Sequence, residues 1–184
     1  MRFTNRKGLY AVLMLLLLGA SQLAFSQRGD SEHVTKLLAD AKGQAANALE
    51  DADLLKTYTR SKMSLPSHSA QIEKIRGHVN EIGRTVNDLK AARGEASPWQ
   101  QQAIDRVDPI LQEMADTLTA TIKHMNDNPT HINMQPYQDY VGATYDLTSR
   151  MASIINDFVE YGKKRTRVDE LEHKLEVGSA GAGH

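Results

Sequence analysis

Residues 71–90 read QIEKIRGHVNEIGRTVNDLK, with apolar members at Ile72, Ile75, Val79, Ile82, Val86 and Leu89. The spacing alternates three and four, which puts all of them on one face of an α-helix and fits no strand. Everything between them is polar or glycine. Isoleucine and valine have only moderate helix propensity, so this helix must be stabilised by burying its apolar face. Isoleucine-rich seams suit bundles of more than two helices. Gly77 and Gly83 fall off the seam and are expected on the exposed side. The segment predicts a helix from about His68 to Arg93.

The same pattern extends in both directions. Upstream, Val34, Leu38, Ala41, Ala45, Ala48, Ala52 and Leu55 keep a strict heptad, predicting a helix over about 31–62 with Asp30 or Ser31 as its cap. Its four central alanines let a partner helix come close. Ser64-Leu65-Pro66-Ser67 reads as a break before the second helix. Downstream, Gly94 ends that helix, and Ser97-Pro98-Trp99-Gln100 starts the third with a capping box and a first-turn proline. The third helix, about 98–126, carries Ile104, Val107, Leu111, Met114, Leu118, Thr121 and Met125, and Pro109 should bend it. A turn-rich stretch around Asn128-Pro129 leads to a fourth helix over about 136–176. Its stripe is expected along Tyr140, Thr144, Leu147, Met151, Ile154 and Phe158, then Tyr161, Val168, Leu171 and Leu175. Residues 177–184, rich in glycine and alanine, are expected to be a disordered tail. Four helices with short connections predict an all-α, antiparallel up-down four-helix bundle over residues 27–176.

The first 26 residues predict a secretory signal peptide. Arg2, Arg6 and Lys7 precede the apolar run 9–18, and Ala24-Phe25-Ser26 offers a cleavage site before Gln27. Ten apolar residues fall short of the ~20 a membrane span needs. Cleavage would leave 158 residues with 19 basic and 23 acidic side chains, a net charge of −4. The expected product is exported to the periplasm or beyond, without a stable membrane span. Its acidic balance argues against nucleic acid as a partner. The chain has no cysteine, which excludes disulfides, thiolate metal sites, a cysteine nucleophile and thioether haem attachment.

Few groups could carry chemistry. An up-down bundle brings His68, His124 and His131 to one pole with Met63, Met125 and Met134. Imidazoles and thioethers suit copper, so His68, His124, His131, Met63 and Met134 form a candidate metal cluster, although their spacing matches no fixed motif. Met125 lies on the seam and is assigned to packing. For haem, inward-facing His or Met ligands are required, and His33, His78 and His173 all fall off their seams. Glu170 and His173 make a single E-x-x-H, whereas a di-iron bundle needs two. Asp105 and Asp108, beside the proline bend, read as surface carboxylates. The basic run Lys163, Lys164, Arg165 and Arg167 is largely cancelled by Asp169, Glu170, Glu172 and Glu176, and reads as a solvated charged face. Tyr137, Tyr140 and Tyr145 are expected to pack at a rim, and Trp99 to cap the core near the start of the first helix.

Ser97-Pro98-Trp99-Gln100-Gln101-Gln102-Ala103-Ile104-Asp105-Arg106 resembles a segment of uncharacterised exported helical proteins from soil bacteria. The resemblance spans the second to fourth helices and implies no known activity, cofactor or site residue. In architecture the chain is also similar to periplasmic four-helix cytochromes and to sensor ligand-binding bundles. It lacks the attachment cysteines of the first and the flanking membrane helices of the second. The expected function is therefore non-enzymatic: an exported bundle, with no cofactor, that binds a protein partner or self-associates through its fourth helix. A copper- or haem-binding module is the alternative.

Overall fold

The computed structural model describes residues 29–180; the expected signal peptide and the last four residues lie outside the described residues. Four helices appear: α1 (Glu32–Ser61), α2 (Leu65–Ala91), α3 (Pro98–Asp127) and α4 (Gln135–Ala180), with a 3-10 turn at Ala92–Gly94. Among the described residues there is no strand.

Ser31 opens α1, its Oγ accepting from the Val34 N–H at 3.3 Å. The helix closes on Lys62, which takes the left-handed conformation (φ 52°) usually left to glycine. The N–H groups of Lys62 and Met63 both donate to the Tyr58 carbonyl. Helix α2 begins at Leu65, three residues before the expected start, with Ser64 as its cap and Pro66 in its first turn. A proline there gives up an N–H that has no intrahelical partner, so the apparent break is the helix start. In α3, Gln100 Oε1 accepts from the Ser97 N–H at 2.9 Å, and the helix continues through Pro109.

The seams of α1 and α2 bury as their spacing requires. Every expected seam residue from Val34 to Leu55 and from Ile72 to Leu89 is buried, joined by Thr59, His68, Gln71 and Thr85. On α3, Ile110 is buried and Leu111 only partly so. On α4 the buried line is Tyr137, Val141, Thr144, Thr148, Met151 and Ile155. It shares only Thr144 and Met151 with the expected stripe. Leu147 and Ile154 lie partly buried beside it, and Tyr140 is exposed. Apolar side chains occupy adjacent lines of this helix, and its neighbours select the line through Val141 and Ile155. Helix α4 runs to Ala180, four residues past the expected end.

Helix α1 packs on α2 and α4, and α3 packs on α4 and less extensively on α2. Polar pairs mark the contacts. Thr85 donates to Gln44 at 2.9 Å, and Gln71 donates to the Asp51 side chain at 2.7 Å. The Thr121 and Thr144 hydroxyls lie 3.0 Å apart, and Lys42 meets Glu160 at 2.9 Å. At 46 residues, α4 is about 70 Å long, against about 45 Å for the 30 residues of α1. Its C-terminal part therefore extends past the bundle. No helix among the described residues is long and apolar enough to cross a membrane.

Candidate functional site

At the pole where α1 ends and α4 begins, His68 is fully buried, and its Nδ1 lies 3.0 Å from the Tyr137 hydroxyl. Its ring stands edge-on to Tyr58 and Tyr137, at 5.8 and 5.3 Å. Burial holds the imidazole below its ordinary pKa and pushes the Tyr137 hydroxyl above its own. With a neutral ring and a protonated phenol, one proton is shared along this contact: either the Tyr137 O–H donates to Nδ1 and the ring proton sits on Nε2, or Nδ1–H donates to the Tyr137 oxygen. That Nε2 is buried without a hydrogen-bond partner. His124 packs on the other side, 4.9 Å from the Tyr140 ring and 6.3 Å from Tyr137.

The candidate metal residues thus share a pole in different environments. His68 is enclosed by tyrosines, whereas His131, Met63 and Met134 are exposed and His124 is half-buried. Among the described residues, no group of three or more His, Asp or Glu side chains is placed to hold a metal ion. Tyr137, expected to pack at a rim, is instead a fully buried partner of His68. Its counterpart was legible, because His68 stands four residues before Ile72 and so continues the seam. His78, expected to face outward, is largely covered and pairs with Asp51 at 3.0 Å, forming with Gln71 a polar clamp between α1 and α2. His33 pairs with Glu95 at 2.7 Å on the surface, and His173 is exposed. Asp105 pairs with Arg93 of the 3-10 turn at 2.8 Å, and Asp108 with Lys90 of α2 at 2.9 Å.

At the opposite pole, Gln100 is fully buried and makes four hydrogen bonds. Its Oε1 accepts from the Ser97 and Ser31 N–H groups, and its Nε2 donates to the Ser31 carbonyl and Thr35 Oγ1, all within 3.0 Å. The capping residue of α3 thereby also ties down the start of α1. Beside it, Trp99 Nε1 donates to Asp30 at 2.7 Å, and its ring stands edge-on to Tyr161 at 5.5 Å. Gly162 makes this possible, since a Cβ there would lie 2.7 Å from Trp99 Cη2. Trp99 separates two grooves. One, of about 670 Å³, has Leu38, Ala39 and Val159 in its wall and Lys36 and Lys163 at its edge. The other, of about 340 Å³, lies among Arg106, Ile154, Phe158 and Tyr161.

From this second groove α4 projects. Tyr161 is 48% exposed, Val168 51%, Leu171 45% and Leu175 74%. These are four of the eight large apolar side chains exposed among the described residues. Tyr161, Val168 and Leu175 are seven apart, with Leu171 between the last two, so they repeat as a coiled-coil seam does. Charges flank the seam, partly paired within the helix: Lys163 with Glu160 at 3.0 Å and Arg167 with Glu170 at 3.6 Å. Hydrogen bonds from Lys42 and then Lys163 hold the Glu160 carboxyl down to a pKa of about 2. No protein-family model, curated protein or solved structure matches this chain.

Proposed function

We propose that this chain is an exported, non-enzymatic four-helix bundle, antiparallel and up-down, that meets a partner through the projecting end of α4 in an interaction or envelope-associated structural role. The cross-helix pairs support the topology. Gln71–Asp51 and Thr85–Gln44 descend α1 as they ascend α2, and Gln100 joins the starts of α1 and α3. The N-terminal pattern of basic residues, apolar run and small residues supports export. The observation that carries the reading is the uncovered heptad seam of Tyr161, Val168, Leu171 and Leu175. Such a seam on a helix already held rigid at its base is suited to pairing with another helix.

A photo-crosslinking residue placed singly at 168, 171 or 175 tests this in the cell of origin. Adducts should form there and be absent when the same residue replaces Thr166 or Glu170, on the other side of the helix. Equal yields from both sets, or none from either, contradict the reading. N-terminal sequencing of the exported protein should begin at Gln27.

A further inference from the structure

The geometry points to a second copy of this chain as the partner that covers the projecting end of α4, the two helices running parallel and in register. The inference rests on the reading that this end is a contact surface, and adds the partner's identity and direction. The seam places Tyr161, Val168 and Leu175 at the first core position of the heptad and Lys164 and Leu171 at the second. The flanking positions beside the core are then Glu160, Arg167 and Lys174 on one side and Arg165 and Glu172 on the other.

In a parallel, in-register pair, a residue on the first flank faces the second-flank residue five positions on in the other copy. Arg167 then meets Glu172 of the second copy, and symmetry makes the contact twice. Glu160 faces Arg165 of the second copy in the same way, although Lys42 and Lys163 already hold it at 2.9 and 3.0 Å. Every flanking contact between charges is attractive.

Antiparallel pairs match each flank with itself, and each alignment of this stretch then meets like charge. With Val168 opposite Leu171, Arg167 faces Lys174, which offsets the attractive Arg165–Glu172 contact on the other flank. Sliding by one heptad sets either Glu172 on Glu172 and Lys174 on Lys174, or Arg165 on Arg165 and Arg167 on Arg167 against an attractive Glu160–Lys174 contact. The flanking charges therefore favour the parallel, in-register pair, the one arrangement in which all of them attract. In register Lys164 meets Lys164 of the second copy at a core position, a like-charge contact that weakens the pair and is relieved as the long stems carry both ammonium groups out to water. The helix is already formed, so pairing bears no nucleation cost. A contact of so few apolar side chains falls well short of the ~1,600 Å² typical of stable complexes, so the dimer forms reversibly with concentration.

The absence of cysteine makes the test clean. In the full chain, Leu171→Cys should oxidise to a disulfide dimer, and Asp169→Cys, off the seam, should do so far more slowly. Arg167→Glu should weaken dimerisation about tenfold, and Arg167→Glu with Glu172→Arg should restore it. The inference is overturned if neither single cysteine crosslinks faster than the other. It is equally overturned if Val168→Cys and Leu171→Cys crosslink only when mixed, the antiparallel outcome. Should the chain stay monomeric while the seam positions still photo-crosslink to another protein, the second copy is wrong and the contact surface stands. Loss of both signals removes both.

Discussion

His68 shows what one buried titratable group does to a bundle of this size. Above pH 6.5, its ordinary pKa, the ring is neutral in both the folded and unfolded chain, and titration costs nothing. As the pH falls below that value, the unfolded chain takes up a proton that the enclosed ring refuses, and stability drops until the lowered folded value is passed. Urea unfolding across this window should therefore show stability falling toward acid, with the slope reduced in His68→Gln. An unchanged slope would clear His68 of the role. Gln100 makes a different demand, because all of its hydrogen-bonding capacity is used. Gln100→Glu keeps the shape but turns an oxygen toward the Ser31 carbonyl. It should cost about 2 kcal/mol in chemical denaturation, partly recovered as the new carboxyl protonates. A loss below about 0.5 kcal/mol would contradict this. The capping role of Gln100 was legible from Ser97-x-x-Gln100, since both ends lie within four residues. Its hold on Ser31 was not, because no local pattern reports a partner 69 residues away. Tyr137 escaped for the same reason.

Among the helices, legibility follows the width of the apolar face. On α2 a single line of apolar residues is flanked by polar ones, and on α1 the heptad runs unbroken although Leu37, Leu49 and Leu54 lie off it, so spacing alone identifies the buried side. On α4, the line through Tyr140, Leu147 and Ile154 runs beside the line through Val141 and Ile155. Periodicity cannot rank two adjacent apolar lines; the packing of α1 and α3 does. Thr148, buried and donating to its own Thr144 carbonyl at 2.7 Å, satisfies its hydroxyl locally, which lets a polar residue join the core. The alanine seam of α1 also makes a prediction. Ala48 is fully buried, so Ala48→Leu should lower stability by about 1–3 kcal/mol despite the added apolar surface. The contact of α4 with α3 is equally tight at Gly162. In an open helix Gly→Ala would gain ~1 kcal/mol, but here the new Cβ would lie 2.7 and 3.0 Å from Trp99 ring atoms. Gly162→Ala should therefore destabilise the protein and change the emission of Trp99, the chain's one tryptophan. A stabilised variant with unaltered emission would contradict the packing.

The whole molecule divides its surface unequally. The body buries its seams and closes its ends with His68 and Tyr137 at one pole and Trp99 and Gln100 at the other. The end of α4 carries exposed apolar side chains at heptad spacing among charged ones. In the proposed function this end serves association while the body stands without it. Shortening the chain to end at Gly162 tests the claim, with thermal unfolding and light scattering followed side by side. The unfolding midpoint should stay within about 3 °C of the full chain's, and concentration-dependent association should be lost completely. A midpoint lowered by more than about 8 °C, or association that survives the truncation, would contradict it.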